Sequence, residues 1–194
     1  MGLFFNLVGR IKSSICHQFH VSITVLGDNS NMNVPLTFPV GVALVVGGSG
    51  GIGSMIATRL VNAGSKVAIT YFKNKSSAER LCNILNKENK ICTSYQLDIK
   101  KPSDISSLVN RLIKEHSSIH TIVNSAGFDI PQQMISDIDL STWTKVIDSD
   151  LNGFFNLVSS SLKQLRNKGG SYIFISSAGL LRYPPGDVLS VAPK

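Results

Sequence analysis

The chain has 194 residues, of which 43% are hydrophobic and 16% charged, a balance that is typical of one globular domain and excludes an intrinsically disordered protein. Its net charge of +7 comes from scattered lysines that no aromatic platform accompanies, so the composition does not indicate a nucleic-acid-binding surface. No apolar run reaches the roughly 20 residues that a membrane-spanning helix needs, and we therefore expect no transmembrane segment.

Residues 1–38 differ in composition from the rest of the chain. They carry basic residues and no acidic residue before Asp28, which is the composition of an organellar targeting peptide or an interfacial segment. An extension from a neighbouring module or a mis-assigned start codon fits equally well. The polar stretch that ends at Pro39 predicts a boundary, with an N-terminal extension over 1–38 and one domain over 39–194. The expected location is cytoplasmic, or an organelle matrix if residues 1–38 are a targeting segment.

The cysteines do not form a recognisable framework. Cys16, Cys82 and Cys92 are odd in number, far apart in sequence and without C-x-x-C spacing, so neither a disulfide framework nor a zinc ribbon is indicated. His17 and His20 lie beside Cys16, but no second cluster completes a tetrahedral set. We therefore expect a reducing compartment and no metal site.

A strand, a glycine-rich loop and a helix follow the boundary. The apolar run over 42–46 predicts the strand, the glycines of 47–53 the loop, and an apolar stripe over 51–63 that ends at Gly64 the helix. Backbone N–H groups at such a helix start, with no Cβ atoms in the way, suit a nucleotide pyrophosphate. The context predicts a dinucleotide-binding site.

Apolar strands then alternate with helical patterns. We predict strands at 66–71, 93–97, 120–124 and 171–176, a second helix that starts at the capping-box spacing Ser76 to Glu79, a third after Pro102, and a fourth over 151–167. Right-handed crossovers then give an α/β fold, a single-domain doubly wound parallel sheet of Rossmann type with strand order 3-2-1-4-5. The cofactor is expected across the carboxyl ends of strands one and four.

Four motifs in this order resemble those of the short-chain dehydrogenase/reductase family, over residues 41 to 194. The glycine loop matches T-G-x-x-x-G-I-G with Val46 in place of threonine, and Asp98 ends strand three like the family's adenine-contacting aspartate. Residues 124–127 match N-N-A-G, and residues 175–179 match the segment with the catalytic serine. The resemblance implies a cofactor site formed by Gly47, Ser49, Gly51, Ile52, Gly53, Tyr71, Lys73, Asp98, Ile99, Asn124, Ala126, Gly127 and Lys194. From the sequence, Asp98 also fits a turn residue that ends a strand.

The end of strand two bears on cofactor choice. An acidic residue there would accept hydrogen bonds from the ribose 2′-OH of NAD and repel a 2′-phosphate. The stretch 70–75 contains no acid, whereas Lys73 and Lys75 suit a phosphate. NADP(H) is therefore favoured over NAD(H).

The catalytic end departs from the family. Where Y-x-x-x-K is expected, the chain has Ser190 and Lys194, and Asp150 stands in place of the family's helix-four asparagine. The catalytic residues that the resemblance implies are Ser177, Lys194, Asp150 and Ser190. Tyr183 lies in a nearby loop, either as a substitute for the missing tyrosine or as a lid or packing aromatic. The serine in place of tyrosine and the aspartate in place of asparagine resemble the residues found at these positions in the dienoyl-CoA reductases.

The resemblance, which extends to 3-oxoacyl-acyl carrier protein reductases, implies an NADP(H)-dependent oxidoreductase. Its substrate would be a carbonyl group, as in a 3-oxoacyl thioester, or an enoyl group, with a place in fatty acid metabolism. The alternative is a catalytically degenerate dinucleotide-binding protein or a partner subunit. An acyl carrier protein is a candidate partner because a positive potential favours acidic partners, and a homo-oligomer is expected of the full-length form. The family's fold continues past the active-site lysine, so we interpret the sequence as C-terminally truncated, with strand five as an exposed apolar edge.

Overall fold

The computed structural model describes residues 38–87, 91–127, 130, 132–182 and 184–194. Strands and helices alternate through the first part of this chain. They are β1 (Val42–Val46), α1 (Gly51–Asn62), β2 (Val67–Tyr71), α2 (Lys75–Leu85), β3 (Cys92–Gln96), α3 (Pro102–His116) and β4 (Ile119–Asn124). A short 3-10 turn at Ile135–Asp137 precedes α4 (Leu140–Val146), a π-helical segment (Ile147–Asn152), α5 (Gly153–Lys168), β5 (Ser171–Phe174), α6 (Gly179–Arg182) and α7 (Val188–Val191). The predicted α/β class is confirmed.

The five strands form one parallel sheet in the order β3-β2-β1-β4-β5, as the sequence predicts. At its carboxyl edge, Val46 of β1 is in register with Asn124 of β4, and Asn124 is in register with Phe174 of β5. The chain order reverses between β1 and β4, which is where a doubly wound sheet opens a crevice. The loops that carry the predicted cofactor residues Gly47, Lys73, Asp98 and Ala126 leave the sheet at this edge.

The sheet is covered on both faces, because alternate residues of a strand point to opposite sides. Val42, Leu44 and Val46 pack into one cluster with apolar residues of α3 and α5, whereas Ala43 and Val45 pack into a second cluster with those of α1 and α2. All five residues of β1 are buried. This explains why β1 is a continuous apolar run rather than an alternating one.

The start of α2 corrects the sequence prediction. The expected capping box over 76–79 is wrong, because the helix already begins at Lys75 and its N-cap is Asn74. The Asn74 side chain accepts a hydrogen bond from the Ser77 backbone N–H at 3.2 Å. Glu79 instead pairs with Lys75 at 3.5 Å on the exposed face.

The fourth helical region is longer than predicted. It begins at Leu140 rather than at residue 151, since α4, the π-helical segment and α5 follow one another without a break. Asp139 caps its start by accepting a hydrogen bond from the Thr142 N–H at 2.8 Å. Hydrogen bonds from the Ser141 and Thr142 hydroxyls and from the Thr142 N–H hold the pKa of Asp139 well below its usual range. The extension matters because the π-helical segment carries Asp150.

Strand β5 is shorter than predicted, ending at Phe174 rather than at residue 176. As expected, it is an edge strand of the sheet in the described part of the chain, and its side chains are half-buried. Phe154 of α5 packs on Phe174 with ring centroids 4.4 Å apart and meets Tyr172 edge-on at 6.0 Å. Within the described residues, no helix combines the length and apolarity that crossing a bilayer requires.

Candidate functional site

The loop between β1 and α1 turns back sharply at Gly47. Gly47 has a φ of 77°, in the left-handed region that glycine tolerates best. Its backbone N–H donates to the Thr70 hydroxyl of β2 at 3.1 Å, and its carbonyl accepts from the Gly50 N–H at 3.0 Å. These two bonds fix the loop against the sheet and aim the chain into α1.

Two positions of this loop require glycine because backbone atoms of neighbouring residues lie too close for a side chain. A Cβ at Gly47 would lie 2.8 Å from the backbone of Ala126, and one at Gly53 would lie 2.3 Å from the Gly47 carbonyl oxygen. A Cβ at Gly51 would meet nothing within 4 Å, so this position opens onto free space at the helix start. Helix α1 has no side-chain cap and no acidic residue in its first turn, which leaves a positive dipole end toward that space. The cradle therefore fits a pyrophosphate.

The end of β4 lines the opposite side of the crevice. Asn124 is buried, and its side-chain oxygen accepts a hydrogen bond from the Ala126 N–H at 3.2 Å. The Ser125 hydroxyl donates to the Val46 carbonyl at 2.7 Å, which joins the ends of β4 and β1. These bonds account for the polar residues of the motif and bring Ala126 and Gly127 to the crevice.

Asp150 and Lys194 form an ion pair at the next point along this edge. The Lys194 ammonium donates to Asp150 Oδ2 at 2.9 Å, and the two side chains are only 13% and 4% exposed. A Cβ at Gly127 would lie 3.4 Å from Asp150 Oδ2 and 3.5 Å from Lys194 Nζ. The ammonium also lies 5.7 Å from the centroid of the Phe174 ring. The structure thus brings two predicted catalytic residues, 44 positions apart in sequence, together beside a predicted cofactor residue.

The other two predicted catalytic residues belong to a second group. Ser190 donates its hydroxyl to Asp187 Oδ1 at 2.6 Å, and Ser177 Oγ accepts from the Gly179 N–H at 3.1 Å. A Cβ at Gly179 would lie 2.9 Å from Asp187 Oδ2 and 3.1 Å from Ser177 Oγ, so both groups adjoin this glycine. The sequence prediction missed Asp187, although an aspartate directly before the apolar start of a helix is a typical N-cap residue.

The remaining predicted cofactor residues lie at the ends of β2 and β3. Tyr71 is half-buried and its carbonyl accepts from the Leu97 N–H, whereas Lys73 is exposed with its ammonium 5.7 Å from the centroid of the Phe72 ring. Asp98 Oδ1 accepts a hydrogen bond from the Lys100 N–H at 3.1 Å. This is the geometry of a turn residue that ends a strand, which the sequence offered as an alternative to an adenine contact. A Cβ at Gly153 would lie 2.8 Å from Ile99 Cγ2, so the Ile99 side chain packs against α5.

The rest of the predicted set is placed as follows. Ser49 is half-buried in the glycine loop, and Ile52 is exposed in the first turn of α1. Tyr183 lies outside the described residues. In that described part of the chain, no group of three or more histidine, cysteine, aspartate or glutamate side chains is placed to hold a metal ion.

Comparison with known proteins gives concordant matches. The family model for short chain dehydrogenases matches residues 41–188. Sorbose reductase of Schizosaccharomyces pombe is 31% identical over 136 residues, covering 69% of this chain and 53% of the relative. A 3-oxoacyl-acyl-carrier-protein reductase of Staphylococcus epidermidis is 29% identical over 153 residues, covering 78% of this chain and 62% of the relative.

A solved structure agrees with these sequence matches. The crystal structure of a short chain dehydrogenase from Bacillus anthracis superposes with a TM-score of 0.74 at 26% identity, covering 79% of this chain and 62% of that one. The chain therefore spans 53% to 62% of the length of these relatives.

Proposed function

This chain belongs to the short-chain dehydrogenase family, and from that membership we propose that it acts as an NADP(H)-dependent oxidoreductase on a carbonyl or enoyl group. The observation that carries the proposal is the buried Lys194–Asp150 ion pair beside Gly127, at the crevice between the ends of β1 and β4. An ammonium and a carboxylate that are held together near a cofactor cradle supply fixed charge where a reacting oxygen would gain charge.

The cradle supports the choice of a dinucleotide. The close glycine contacts leave no room for a side chain at Gly47 or Gly53, and the open position at Gly51 admits a phosphate to the first turn of α1. When bound, the nicotinamide ring of such a cofactor supplies or accepts a hydride. Ala126 and Gly127 allow its close approach, and Lys194 is the residue that would hold its ribose.

Lysines at the end of β2 support NADP(H) over NAD(H). Lys73 is exposed beside Phe72. Lys75 forms an ion pair with Glu79, and this pair lies on the exposed surface of α2. We expect Lys73→Met to weaken NADPH binding about tenfold and leave NADH binding unchanged, since a charge-assisted hydrogen bond contributes about 1.5–3 kcal/mol. Lys87→Met, an exposed lysine just beyond the C-terminal end of α2, is the matched control. Tighter binding of NADH than of NADPH by the wild-type chain would reverse the assignment.

The reacting end supports reduction of an acyl thioester. Ser177 offers a hydroxyl that orients a substrate oxygen, Lys194 provides positive charge, and Asp150 starts a water or proton relay. The name of the Staphylococcus epidermidis relative points to a 3-oxoacyl group on acyl carrier protein. The net charge of +7 suits such an acidic partner. Ser190 stands four residues before Lys194, as in the dienoyl-CoA reductases that the sequence resembles at this position. A conjugated enoyl thioester is therefore the second proposed substrate class.

The test measures NADPH consumption with a 3-oxoacyl and with a 2,4-dienoyl thioester. Lys194→Met and Asp150→Asn should each lower kcat/KM by at least about a hundredfold, because each breaks the Lys194–Asp150 ion pair in the crevice. Lys145→Met, an exposed lysine on α4, serves as the control. Cofactor binding without turnover of either thioester would contradict the proposed reductase.

That outcome would favour the second candidate, a catalytically degenerate dinucleotide-binding protein. The observation that favours it is the Ser190 hydroxyl, which replaces a phenol and donates to Asp187. An aliphatic hydroxyl is much harder to ionise than a phenol, so Ser190 is a poor general acid near neutral pH. A large gain in carbonyl reduction by Ser190→Tyr would indicate a lapsed reductase, whereas loss of an existing activity would give Ser190 a role in a different mechanism.

Self-association is a further part of the proposal. Leu151 and Phe155 are exposed one turn apart on the long helix, which gives an apolar patch that a second copy would cover. Sedimentation velocity of the wild-type chain and of Phe155→Glu tests this. A cytoplasmic location, with an organelle matrix as the alternative, stays a prediction that cell fractionation checks. The division into an extension over 1–38 and a domain over 39–194 stays a prediction that limited proteolysis checks.

A further inference from the structure

Two thiols face each other between α2 and β3. Cys82 near the end of the helix and Cys92 at the first position of the strand have their Sγ atoms 2.9 Å apart. Both are free thiols buried in the cluster that joins the sheet to α1 and α2, with Cys82 7% and Cys92 3% exposed. Their spacing of ten residues gave no sign of this contact, which depends on how α2 packs against the sheet.

Asn86 holds the two cysteines in this arrangement. It is the C-cap of α2, and its backbone N–H donates to the Cys82 carbonyl at 2.9 Å. Its side-chain oxygen accepts from the N–H groups of Ile91 and Cys92, both at 2.9 Å, and its side-chain nitrogen donates to the Cys92 carbonyl at 2.7 Å. One residue therefore ties the backbone of both cysteines together, so the thiols meet as a result of a built connection.

The pair is also electronically asymmetric. A hydrogen bond from the Cys92 thiol lowers the pKa of Cys82, whereas the hydrogen bond to Cys82 together with burial raises the pKa of Cys92. The first proton to leave is therefore that of Cys82, whose thiolate is stabilised by the neighbouring S–H. Cys82 is also the more exposed of the two thiols, at 7% against 3%, so it is the residue that an oxidant reaches first and the attacking nucleophile of the pair.

We propose that Cys82 and Cys92 are a redox modification site, at which a hydroperoxide converts the two thiols into an intramolecular disulfide between α2 and β3. The Cys82 thiolate attacks the O–O bond, which breaks to give a sulfenic acid on Cys82 and an alcohol, or water if the oxidant is hydrogen peroxide. Cys92 then attacks the Cys82 sulfur and displaces water. In total the two thiols lose two electrons and two protons, and one hydroperoxide is reduced.

The geometry needs little change for this step. A disulfide joins its sulfur atoms at about 2.05 Å, so the two Sγ atoms must close by roughly 0.9 Å. The bond would fix the C-terminal end of α2 to an edge strand of the sheet. The proposal does not depend on the proposed reductase activity, since it concerns the opposite end of α2 from Lys73.

The test treats the purified chain with hydrogen peroxide and then unfolds it in denaturant that contains iodoacetamide, which alkylates free thiols. The intact mass and a tryptic digest are then measured without reductant. We expect one alkylated cysteine, Cys16, and a linked pair of peptides, 81–87 and 91–100. Alkylation of all three cysteines, or a disulfide that includes Cys16, would overturn the proposal.

Variants separate the roles of the residues. In Cys92→Ser, dimedone should trap a sulfenic acid on Cys82, whereas in Cys82→Ser it should label Cys92 at least about tenfold more slowly. Asn86→Ala should slow disulfide formation at least about tenfold because it loosens the approach of the two sulfurs. Asn83→Ala, an exposed asparagine on the same helix, is the matched control. Circular dichroism confirms that each variant is folded, and equal rates for Asn86→Ala and Asn83→Ala would remove Asn86 from the proposal.

Discussion

At the scale of single residues, the site is organised by backbone contact and by buried polar groups. Asn124 is buried at the end of β4, where its side chain fixes the start of the next loop. The Gly53 position faces the Gly47 carbonyl so closely that no Cβ fits. Such positions tolerate one residue type for a steric reason, which is why the glycine motif was readable from the sequence alone.

The first prediction concerns these glycines. Gly53→Ala would place a Cβ 2.3 Å from the Gly47 carbonyl oxygen, so the loop must shift, and we expect a loss of about 1–3 kcal/mol in the free energy of unfolding. Gly51→Ala meets no atom within 4 Å, so it should unfold like the wild-type chain. Urea denaturation compares them. Both variants should weaken NADPH binding, but Gly51→Ala should do so without a loss of stability. Coincident unfolding curves for the two variants and the wild-type chain would contradict the steric argument.

A second prediction concerns His120 in β4. It is 4% exposed, its Nε2 lies 3.3 Å from the Ser65 hydroxyl, and burial lowers its pKa. Because the folded chain binds this proton less readily than the unfolded chain, stability is fully present above the unfolded pKa of about 6.5 and falls as the pH drops below it. Urea unfolding at pH 7.5 and 5.5 should show a smaller decrease for His120→Gln than for the wild-type chain. An equal decrease would remove His120 as a cause.

At the scale of elements, helix interiors followed the apolar pattern, whereas both ends of α2 and the start of α4 depended on hydrogen bonds with particular side chains. Asn74 starts α2, Asp139 starts α4, and Asn86 ends α2 through its contacts with β3. The predicted capping box had the right spacing, but the helix starts two residues earlier, where the Asn74 side chain accepts a hydrogen bond from the Ser77 N–H. Residues that cap are common in loops, so spacing alone chose the wrong one.

The third prediction tests this correction. Asn74→Ala should lower the free energy of unfolding by about 1 kcal/mol, because the Ser77 N–H loses its acceptor. Glu79→Ala removes only an exposed ion pair and should cost less than about 0.5 kcal/mol. Thermal unfolding followed by circular dichroism measures both. A larger loss for Glu79→Ala would restore the capping box.

At the scale of the whole molecule, a single sheet divides the core into two layers and sets the site at one of its edges. Helices α3 and α5 cover one face, and α1 and α2 the other. The loops after all five strands leave at the carboxyl edge, which is how residues from distant parts of the sequence meet there. The long helix that ends in α5 both closes one layer and carries Asp150 to Lys194.

The fourth prediction concerns this layer. Leu157 of α5 is 0% exposed in the core, so Leu157→Ala should lower the free energy of unfolding by about 2–5 kcal/mol. Lys163, which is exposed on the same helix, should change it by less than about 0.5 kcal/mol when replaced by alanine. Chemical denaturation of both variants measures the difference. Similar losses would show that α5 does not pack on the sheet through Leu157.

The sequence by itself determined the fold class, the strand order and the glycine cradle. Hydrophobic periodicity and glycine positions are local properties, since they reflect which residues face the core and where backbones must approach. The sequence also named Asp150, Ser177, Ser190 and Lys194, but only as separate residues of a motif.

Only the tertiary structure decided how those residues are paired. It joined Lys194 to Asp150, gave Ser190 to Asp187, and brought Cys82 to Cys92 through Asn86. Contacts of this kind depend on how long helices cross a sheet and on which capping side chain takes a given backbone donor. Those choices are settled by packing across the whole domain, and no local pattern of residue types records them.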